Sequence, residues 1–245
     1  MHAGTMNDNF FRDNLDWLGK AVNWSKFTAT AALGVIHHGD LGNGQTLLGP
    51  YLPKDAAAGT NPSSVYSQGG SLYALGLIYA NHENFAVELI RDHFKKATEE
   101  VVQHGGALGL GLAGMATGDQ GIYEDLKGVL YSDSALNGEA VGIAMGLIML
   151  GTGNIKACQD MIQYAHDTQH EKIVRGLGLG MALIMYGRRK GADDLVNGLL
   201  GDSDPILRYG GIQTLALAYC GTGNNDAVRK LLHYAVSDVS DDVRR

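Results

Sequence analysis

Small residues recur along this chain at a nearly constant spacing, and this internal repeat constrains the fold more than any other feature of the sequence. Six segments align on a terminal small residue, which we call the anchor of each repeat: Gly39, Asn81, Gly118, Gly151, Gly187 and Gly221. Successive anchors are 42, 37, 33, 36 and 34 residues apart. A period of this length is typical of a hairpin of two α-helices. The sequence therefore predicts a stack of two-helix repeats.

Two further columns of the alignment hold only small residues. They lie five and seven positions before the anchors: Ala32, Gly34, Ala74, Gly76, Gly111, Ala113, Ala144, Gly146, Gly180, Ala182, Thr214 and Ala216. Leucine or methionine fills the column between them, and isoleucine or methionine stands three positions before most anchors. On a helix, the two small columns point about 200° apart. We therefore expect each of these helices to be packed between two neighbours.

Glycine makes up 35 of the 245 residues, and several glycines fall inside the predicted helices. Gly109, Gly111 and Gly114 would together cost an isolated helix about 2 to 3 kcal/mol relative to alanine. The alternation from Leu108 to Leu112 resembles a strand, but the apolar columns three positions apart favour a helix. Such a helix needs tertiary stacking to be stable.

Each anchor is followed by a more charged, amphipathic segment that predicts the solvent-facing second helix of the repeat. These segments are Ala86–Phe94, Ile122–Leu130, Ile155–Ala165, Ala192–Leu200 and Ala227–Ala235. An acidic residue four positions before an arginine opens three of the following repeats and supports their first helical turn. The pairs are Glu171 with Arg175, Asp204 with Arg208, and Asp241 with Arg245.

The prolines and glycines between Pro50 and Gly70 predict a loop insertion, which accounts for the longest repeat spacing. Asn9–Val22 is predicted to be a helix of a preceding repeat, and Ser240–Arg245 begins one that is not completed. We therefore expect residues 1–245 to form a single repeat domain, with about six complete repeats and partial repeats at both ends, excised from a longer protein. Exposed apolar faces at such edges predict self-association.

The composition excludes several classes of function. A net charge of −7, with no basic run longer than Arg188, Arg189 and Lys190, disfavours nucleic acid and anionic membranes as partners. Two cysteines provide no disulfide framework and fit a reducing compartment such as the cytosol or nucleus. The polar stretch Met1–Asp16 predicts no signal peptide, and the apolar stretch Ala140–Leu150 is too short to cross a bilayer.

The glycine-rich columns resemble the proteasome/cyclosome, or PC, repeat family. The resemblance is carried by Leu108-Gly-Leu-Gly-Leu-Ala-Gly114, Gly176-Leu-Gly-Leu-Gly180 and Tyr219-Cys-Gly-Thr-Gly-Asn224. Within the family, longer stretches look like the second of its two proteasome subunits: Arg12–Trp17, Lys26–Thr30, Thr168–Lys172, Asp204–Arg208 and Ala235–Arg245. The resemblance extends over essentially the whole chain.

This resemblance implies an all-α fold, a right-handed α-solenoid that forms an arc of a closed ring, or toroid. It also implies a non-catalytic scaffold of the proteasome regulatory particle that contacts the ATPase ring, other non-ATPase subunits and ubiquitin-handling proteins. The family's docking site for a ubiquitin receptor lies in a carboxy-terminal tail, so no protein-binding residue is carried over to this sequence.

Three groups of residues could carry chemistry, and each has a simpler explanation. Gly109-Leu-Gly-Leu-Ala-Gly114 fits the G-x-G-x-x-G pattern of dinucleotide sites, but no clear strand precedes it and its glycines fall in repeat columns. His166 and His170 could share a helix face as metal ligands, but a third ligand is missing. His37 and His38 end a helix, where a solvated or capping role is expected.

The remaining candidates are explained as structural residues. Cys158 and Cys220 are expected to be buried and unreactive. Trp17 and Trp24, seven positions apart, are expected to pack on one helical face, with an exposed partner-binding face as the alternative. The acidic run Asp238–Asp242 predicts a solvated turn with helix-capping carboxylates.

We therefore predict a scaffold segment without catalytic residues, cofactor or metal ion. Two other classes of function remain open at this point. One is direct binding of ubiquitin or a ubiquitin-like domain, by analogy with the other proteasome subunit of the family. The other is an enzyme, although no serine or cysteine stands in a sequence context typical of a hydrolytic triad.

Overall fold

The computed structural model describes residues 2–53, 62–82 and 86–245. These residues form α-helices, one 3₁₀-helix and turns, and they contain no β-strand. The chain divides into two compact units, Met1–Met115 and Ala116–Arg245. Within each unit the two-helix repeats stack in a solenoid-like arrangement, so the predicted all-α solenoid class is confirmed. No helix of the described residues has the length and apolar character that a membrane crossing requires.

The first unit contains seven helices among its described residues. They are α1 (Asn9–Asp13), α2 (Leu15–Gly19), α3 (Asn23–Ile36), α4 (Gly44–Leu48), α5 (Pro62–Ile78), α6 (Val87–Lys96) and α7 (Glu100–Ala113). Helices α3, α5 and α7 carry the small-residue columns, and each packs along the next. The amphipathic helix α6 packs against α7 through Ile90 and Phe94, which are both buried.

Two predictions for the first unit are wrong. The expected helix Asn9–Val22 is interrupted at Asn14, whose side-chain amide donates to the carbonyl of Phe10 at 2.8 Å and closes α1. The expected loop Pro50–Gly70 ends earlier, because α5 already begins at Pro62. Proline suits a first helical turn, where its missing N–H leaves no hydrogen bond unmade. Residues 54–61 of that loop lie outside the described part of the chain.

The second unit continues the alternation of inner and outer helices. Its elements are α8 (Gln120–Leu130), α9 (Ala135–Ile148), α10 (Ile155–Asp167), α11 (Glu171–Ile184), a 3₁₀-helix (Arg189–Ala192), α12 (Asp193–Leu200), α13 (Pro205–Ala218), α14 (Asn225–Ser237) and α15 (Asp241–Arg244). Helices α9, α11 and α13 stack on one another. The five predicted second helices of the two units correspond to α6, α8, α10, α12 and α14, with ends that differ by up to two residues.

Side-chain caps fix where five helices of the second unit begin. The N-cap oxygens of Asp119, Ser134, Asn154, Asp204 and Asn224 each accept a hydrogen bond from a backbone N–H of the first turn. Such a cap satisfies one of the four free donors at a helix start and is worth about 1 kcal/mol. Asp204, which was predicted to pair with Arg208, is therefore the N-cap of α13.

The predicted contacts between acidic residues and arginines four positions later are not the ones formed. Arg208 binds Asp238 and Arg175 binds Asp242, so both arginines reach across to later segments of the unit. Arg244, and not Arg245, binds Asp241. Arginine is long enough to leave its own helix, and the turns between repeats offer carboxylates within its reach.

Glycine allows the inner helices to touch backbone to backbone. A Cβ atom added at Gly34 would lie 2.6 Å from the Cα of Ala74, and one at Gly76 would lie 2.5 Å from the Cα of Gly109. In the second unit, a Cβ at Gly146 would lie 2.4 Å from the Cα of Gly180. These distances leave no room for any side chain.

A second set of contacts lies one helical turn earlier along the same helices. A Cβ at Gly142 would lie 2.7 Å from the carbonyl carbon of Gly176, and one at Gly178 would lie 3.3 Å from the Cα of Gly210. The small residues therefore form a continuous stripe, and the apolar column beside it is buried on both sides. This packing compensates for the low helix propensity of glycine.

We expect Gly146→Ala to lower the free energy of unfolding by about 2 to 3 kcal/mol, because the added methyl group meets backbone that cannot turn away. The matched control is Gly128→Ala in α8, where an added Cβ has no neighbour within 4 Å. That change should raise the stability by about 0.5 to 1 kcal/mol. Urea unfolding of both variants measures the difference, and equal stabilities would contradict the packing described here.

Candidate functional site

A four-residue turn occurs four times among the described residues, three times after an inner helix and once before α1. Its copies are Gly4–Asn7, Ala116–Asp119, Gly151–Asn154 and Gly221–Asn224, each with threonine second and asparagine or aspartate fourth. The first and third residues of every copy have φ between +56° and +70°. This left-handed conformation favours glycine, which explains the Gly-Thr-Gly-Asn sequence of two copies.

The threonine of this turn holds its shape. The hydroxyl of Thr152 donates to the carbonyl of Met149 at 2.8 Å and accepts from the backbone N–H of Asn154 at 3.3 Å. Thr5 and Thr222 form the same pair of bonds in their own turns. In three copies the fourth residue of the turn is the N-cap of the next helix: Asp119, Asn154 and Asn224. The turn is therefore a single hydrogen-bonded unit that ends one helix and prepares the next.

The turns that begin at Gly4, Ala116 and Gly151 also tie their repeat to the following one through the backbone. The N–H groups of Gly151 and Gly153 donate to the carbonyls of Leu183 and Ile184, both at 3.0 Å. The last carbonyls of a helix have no partner within the helix, so these bonds cap the neighbouring helix at its carboxy end. The equivalent bonds elsewhere join Gly4 to Val35, Met6 to Ile36, Gly39 to Ile78, Ala116 to Leu147, Gly118 to Ile148, and Gly187 to Leu217.

The six predicted anchors all have left-handed backbone conformations, with φ from +62° to +85°. One of them stands out of register. Gly39, Gly151, Gly187 and Gly221 each stand two positions after the C-cap of their inner helix. The residue two positions after the C-cap Gly114 is Ala116 and not Gly118. Gly118 is the third residue of its turn. The repeat spacing around it is therefore 35 and 35 residues, and not 37 and 33.

This shift also moves the small positions of the third repeat. Gly109 and Gly111 replace the predicted Gly111 and Ala113, and Leu110 replaces the half-buried Leu112 in the apolar column. The contact between Gly76 and Gly109 then matches those between Gly34 and Ala74 and between Gly146 and Gly180. The sequence alignment missed the shift because a strained alanine occupies a position where glycine was expected.

The twelve small positions predicted from the sequence differ in burial. Ten of them are buried, whereas Ala32 on α3 is half-buried and Ala216 on α13 is exposed. Direct contacts across the stack involve Gly34, Ala74, Gly76, Gly146 and Gly180 among these positions. They form a structural surface between helices and present no polar group to a ligand.

Polar residues connect the turns on the other side of the second unit. Asp133 accepts from the hydroxyls of Thr168 at 2.7 Å and Tyr164 at 2.9 Å, and these bonds lower the pKa of its carboxyl group. Asp238 accepts two hydrogen bonds from the guanidinium of Arg208, at 2.9 and 3.0 Å. Both side chains of this pair are largely buried, and the arginine lowers the pKa of the Asp238 carboxyl group. These contacts fix the spacing of successive repeats.

Neither the glycine motif nor the histidine pair has the geometry of the chemical site considered for it. Gly109–Gly114 lies in the interior and at the end of α7, where no strand precedes it and no helix begins. His166 contacts Asp202 at 2.9 Å, whereas His170 lies 3.7 Å from Asp133, so the two imidazoles turn to different carboxylates. The described residues contain no cluster of three or more groups that could hold a metal ion.

His37 is at the C-cap of α3, as its predicted capping role requires, but it is buried. Its two ring nitrogens lie 3.7 Å from Asp8 and 3.6 Å from Asp40. No pattern near His37 indicates this burial, because Asp8 comes from a separate turn that folds over the end of α3. His38 is exposed.

The two cysteines differ, contrary to the expectation that both are buried. Cys158 is 1% exposed, and burial raises the pKa of its thiol to about 12, which leaves it protonated and unreactive at neutral pH. Cys220 is exposed. It is the residue before the turn glycine Gly221, where the chain leaves the helix stack.

Trp24 is 40% exposed and packs against the rings of Phe27, Tyr66 and His104, with centroids 5.2 to 5.5 Å apart. It combines the two roles weighed for the tryptophans, since part of the indole packs and part faces solvent. The side chain of Trp17 lies outside the described residues.

The acidic run Asp238–Asp242 covers the turn before α15 and the first two residues of that helix. Asp238 is a buried ion-pair partner and not a solvated carboxylate.

The left-handed turns generate a paired prediction. Ala116→Gly should raise the free energy of unfolding by about 0.5 kcal/mol, because glycine adopts positive φ without the steric cost that alanine has. Gly151→Ala should lower it by about 1 kcal/mol for the opposite reason. An added Cβ at Gly151 would meet its neighbour at an ordinary 3.5 Å, so backbone strain alone is tested. Chemical denaturation that gives the same sign for both changes would contradict the turn geometry.

Asp238→Asn should lower the free energy of unfolding at neutral pH by about 2 to 3 kcal/mol, because it leaves the guanidinium of Arg208 buried without its charged partner. The folded-state pKa of Asp238 lies below its unfolded value, so the pair stabilises the fold above that unfolded value and the effect fades as the pH falls below about 4. Asp242→Asn, in the exposed pair with Arg175, is the control and should change stability by less than about 0.5 kcal/mol. Urea unfolding at neutral and acidic pH compares the two, and equal losses would contradict this role of Asp238.

Comparison with known proteins agrees with the repeat geometry. Residues 140–174, which run from α9 through α10 into α11, match the family described as Proteasome/cyclosome repeat. All 245 residues align with the 26S proteasome non-ATPase regulatory subunit 1 homolog B of Arabidopsis thaliana at 59% identity, and they cover 24% of that protein. The chain is likewise 57% identical to 24% of the 26S proteasome non-ATPase regulatory subunit 1 of Drosophila melanogaster, and 56% identical to 25% of the 26S proteasome regulatory subunit rpn2 of Schizosaccharomyces pombe.

The chain spans about a quarter of the length of these relatives. Identity at this level along the whole chain means that a segment of each of these relatives has the same fold. The predicted resemblance is therefore confirmed: the chain carries a proteasome/cyclosome repeat and is similar along its whole length to a non-ATPase regulatory subunit of the 26S proteasome.

Proposed function

We propose that this chain is a non-catalytic scaffold segment of the proteasome regulatory particle, which holds other subunits in place for ubiquitin-dependent protein degradation. The observation that carries the proposal is the similarity of all 245 residues to non-ATPase regulatory subunits of the 26S proteasome. Its site of action would be the cytoplasm and nucleus. We also propose that residues 1–245 act as one repeat domain in this role.

The structure supports a scaffold through the way its backbone is held. Inner helices that touch through glycine cannot slide or tilt without a steric clash, and the turns at Ala116 and Gly151 are bonded to the next helix by main-chain hydrogen bonds. A scaffold needs this stiffness because it must present binding surfaces at fixed distances. The buried hydroxyls of Thr30 and Thr214 donate to carbonyls of their own helices. Among the described residues, none of the candidate chemical groups is arranged with a nucleophile, a base and an orienting partner.

The outer surface offers contact points for partners. Tyr131 is 57% exposed and Tyr186 is 48% exposed. Tyrosine is among the residues that contribute most to binding energy at protein interfaces. Tyr131 lies against the ring of Tyr164, with centroids 5.2 Å apart, and the ammonium of Lys127 is 5.8 Å from its centroid. An exposed aromatic side chain held by its neighbours loses little conformational entropy on binding.

Site-specific photo-crosslinking in the full-length protein tests this proposal. A benzophenone amino acid at Tyr131 or Tyr186, in purified proteasomes, should form crosslinks to other proteasome subunits. The same residue at Tyr123, which is 1% exposed, is the control and should form none. Crosslinks to ubiquitin conjugates alone would favour direct ubiquitin binding, and the absence of any subunit crosslink from both exposed positions would contradict the scaffold role.

A further inference from the structure

Three consecutive cationic side chains line a cleft in the second unit. Arg188, Arg189 and Lys190 follow the anchor Gly187, and all three are exposed. Together with Tyr219, Gly221, Thr222 and Asn224 they line an open cleft of about 670 Å³. The residues that line this cleft include no carboxylate. In a chain of net charge −7, this is the longest run of basic residues.

The cations are not used for internal ion pairs. Within the described part of the chain, none of the three lies within ion-pair distance of a carboxylate, whereas Arg175, Arg208 and Arg244 all do. The nearby carboxylate of Asp193 instead accepts a hydrogen bond from the hydroxyl of Tyr219 at 2.7 Å. The positive charge on this wall is therefore available to a partner.

The backbone at Arg189 indicates that the position is not optimised for stability. Arg189 has φ +52° and stands two residues after Gly187, the first left-handed residue of its turn. At the same place three other turns have Gly118, Gly153 and Gly223, and the turn Gly4–Asn7 has Met6. A non-glycine residue in this region is strained by about 1 kcal/mol or more. An exposed residue that keeps an unfavourable backbone conformation, with no internal contact to compensate, is typical of a position that serves a function.

The neighbouring groups keep the cleft in shape. A Cβ at Gly153 would lie 3.1 Å from Nε of Arg188, so this arginine is laid against the preceding turn. On the opposite wall, Oδ1 of Asn224 accepts from the backbone N–H of Ala227 at 2.8 Å, which leaves the NH₂ group of that amide as a further donor. The cleft thus combines two guanidinium groups, an ammonium group and an amide donor.

We propose that this cleft binds a short acidic segment of a partner protein through its carboxylates. Guanidinium groups match the geometry of carboxylates, and an adjacent ammonium adds charge without a fixed direction. A volume of about 670 Å³ accommodates a few side chains, which suits a peptide. Nucleic acid fits less well, because a chain of net charge −7 repels an extended polyanion and three cations neutralise few phosphates. This proposal stands apart from the scaffold role and needs no proteasome subunit.

Fluorescence anisotropy with fluorescein-labelled hexaglutamate and the full chain tests it. We expect binding at low salt that weakens at physiological salt. The double variant Arg189→Gly/Lys190→Ala should bind about tenfold more weakly. Lys156→Ala, which removes an exposed cation from α10, is the control and should bind as the unchanged chain does. Arg189→Gly alone should weaken binding and also raise the melting temperature, since it relieves the left-handed strain.

The outcomes separate binding from folding. Weaker binding together with a raised melting temperature supports the proposal, because a variant that is damaged in folding cannot become more stable. Absence of binding at millimolar hexaglutamate would overturn it, as would an equal loss on Lys156→Ala, which would mean general charge attraction. Tighter binding of a labelled oligothymidylate that is lost on Arg189→Gly would overturn it in favour of a phosphate-binding site.

Discussion

Contact between the backbones of neighbouring inner helices is the constraint on which the rest of this structure depends. At Gly146 and Gly180 the two main chains leave no space for a methyl group, and the same approach recurs between Gly34 and Ala74. Helices this close gain dispersion energy over their whole length. They also place each turn within hydrogen-bonding distance of the next helix end, so the backbone bonds from Gly151 and Gly153 are a consequence of the glycine contacts.

The same constraint divides the molecule into regions with different tasks. The inner helices touch through glycine, alanine and leucine, whose side chains offer no reactive group. Charged residues on these helices, such as Arg175 and Arg208, pair with carboxylates of later segments. Asp133 and Asp238 lie in turns and connect successive repeats. In a repeat stack of this kind the surface can vary without disturbing the contacts between helices.

Strain in the turns marks where the repeat pattern yields to other demands. Eight of the fourteen left-handed positions among the described residues are glycine, and Ala116 and Arg189 are among the six that are not. At Ala116 the steric cost of the left-handed conformation is offset within its turn, where the N–H of Ala116 donates to the carbonyl of Leu147. At Arg189 the side chain is exposed in a cleft without an acidic partner. The two positions have the same backbone conformation, and only the surroundings of the side chain distinguish a tolerated residue from one with a proposed role.

The sequence by itself determined the helical class, the two-helix period and the small columns, because these features repeat and each copy supports the others. It also predicted the five outer helices from their amphipathic pattern. The register of the third repeat, the burial of His37 and the pairing of Arg208 with Asp238 were decided only by the tertiary structure. Each depends on residues far apart in the chain: Gly76 meeting Gly109, Asp8 folding over α3, and one turn reaching the next. A periodic pattern shows which faces must touch, but the contact distances themselves fix which residue meets which.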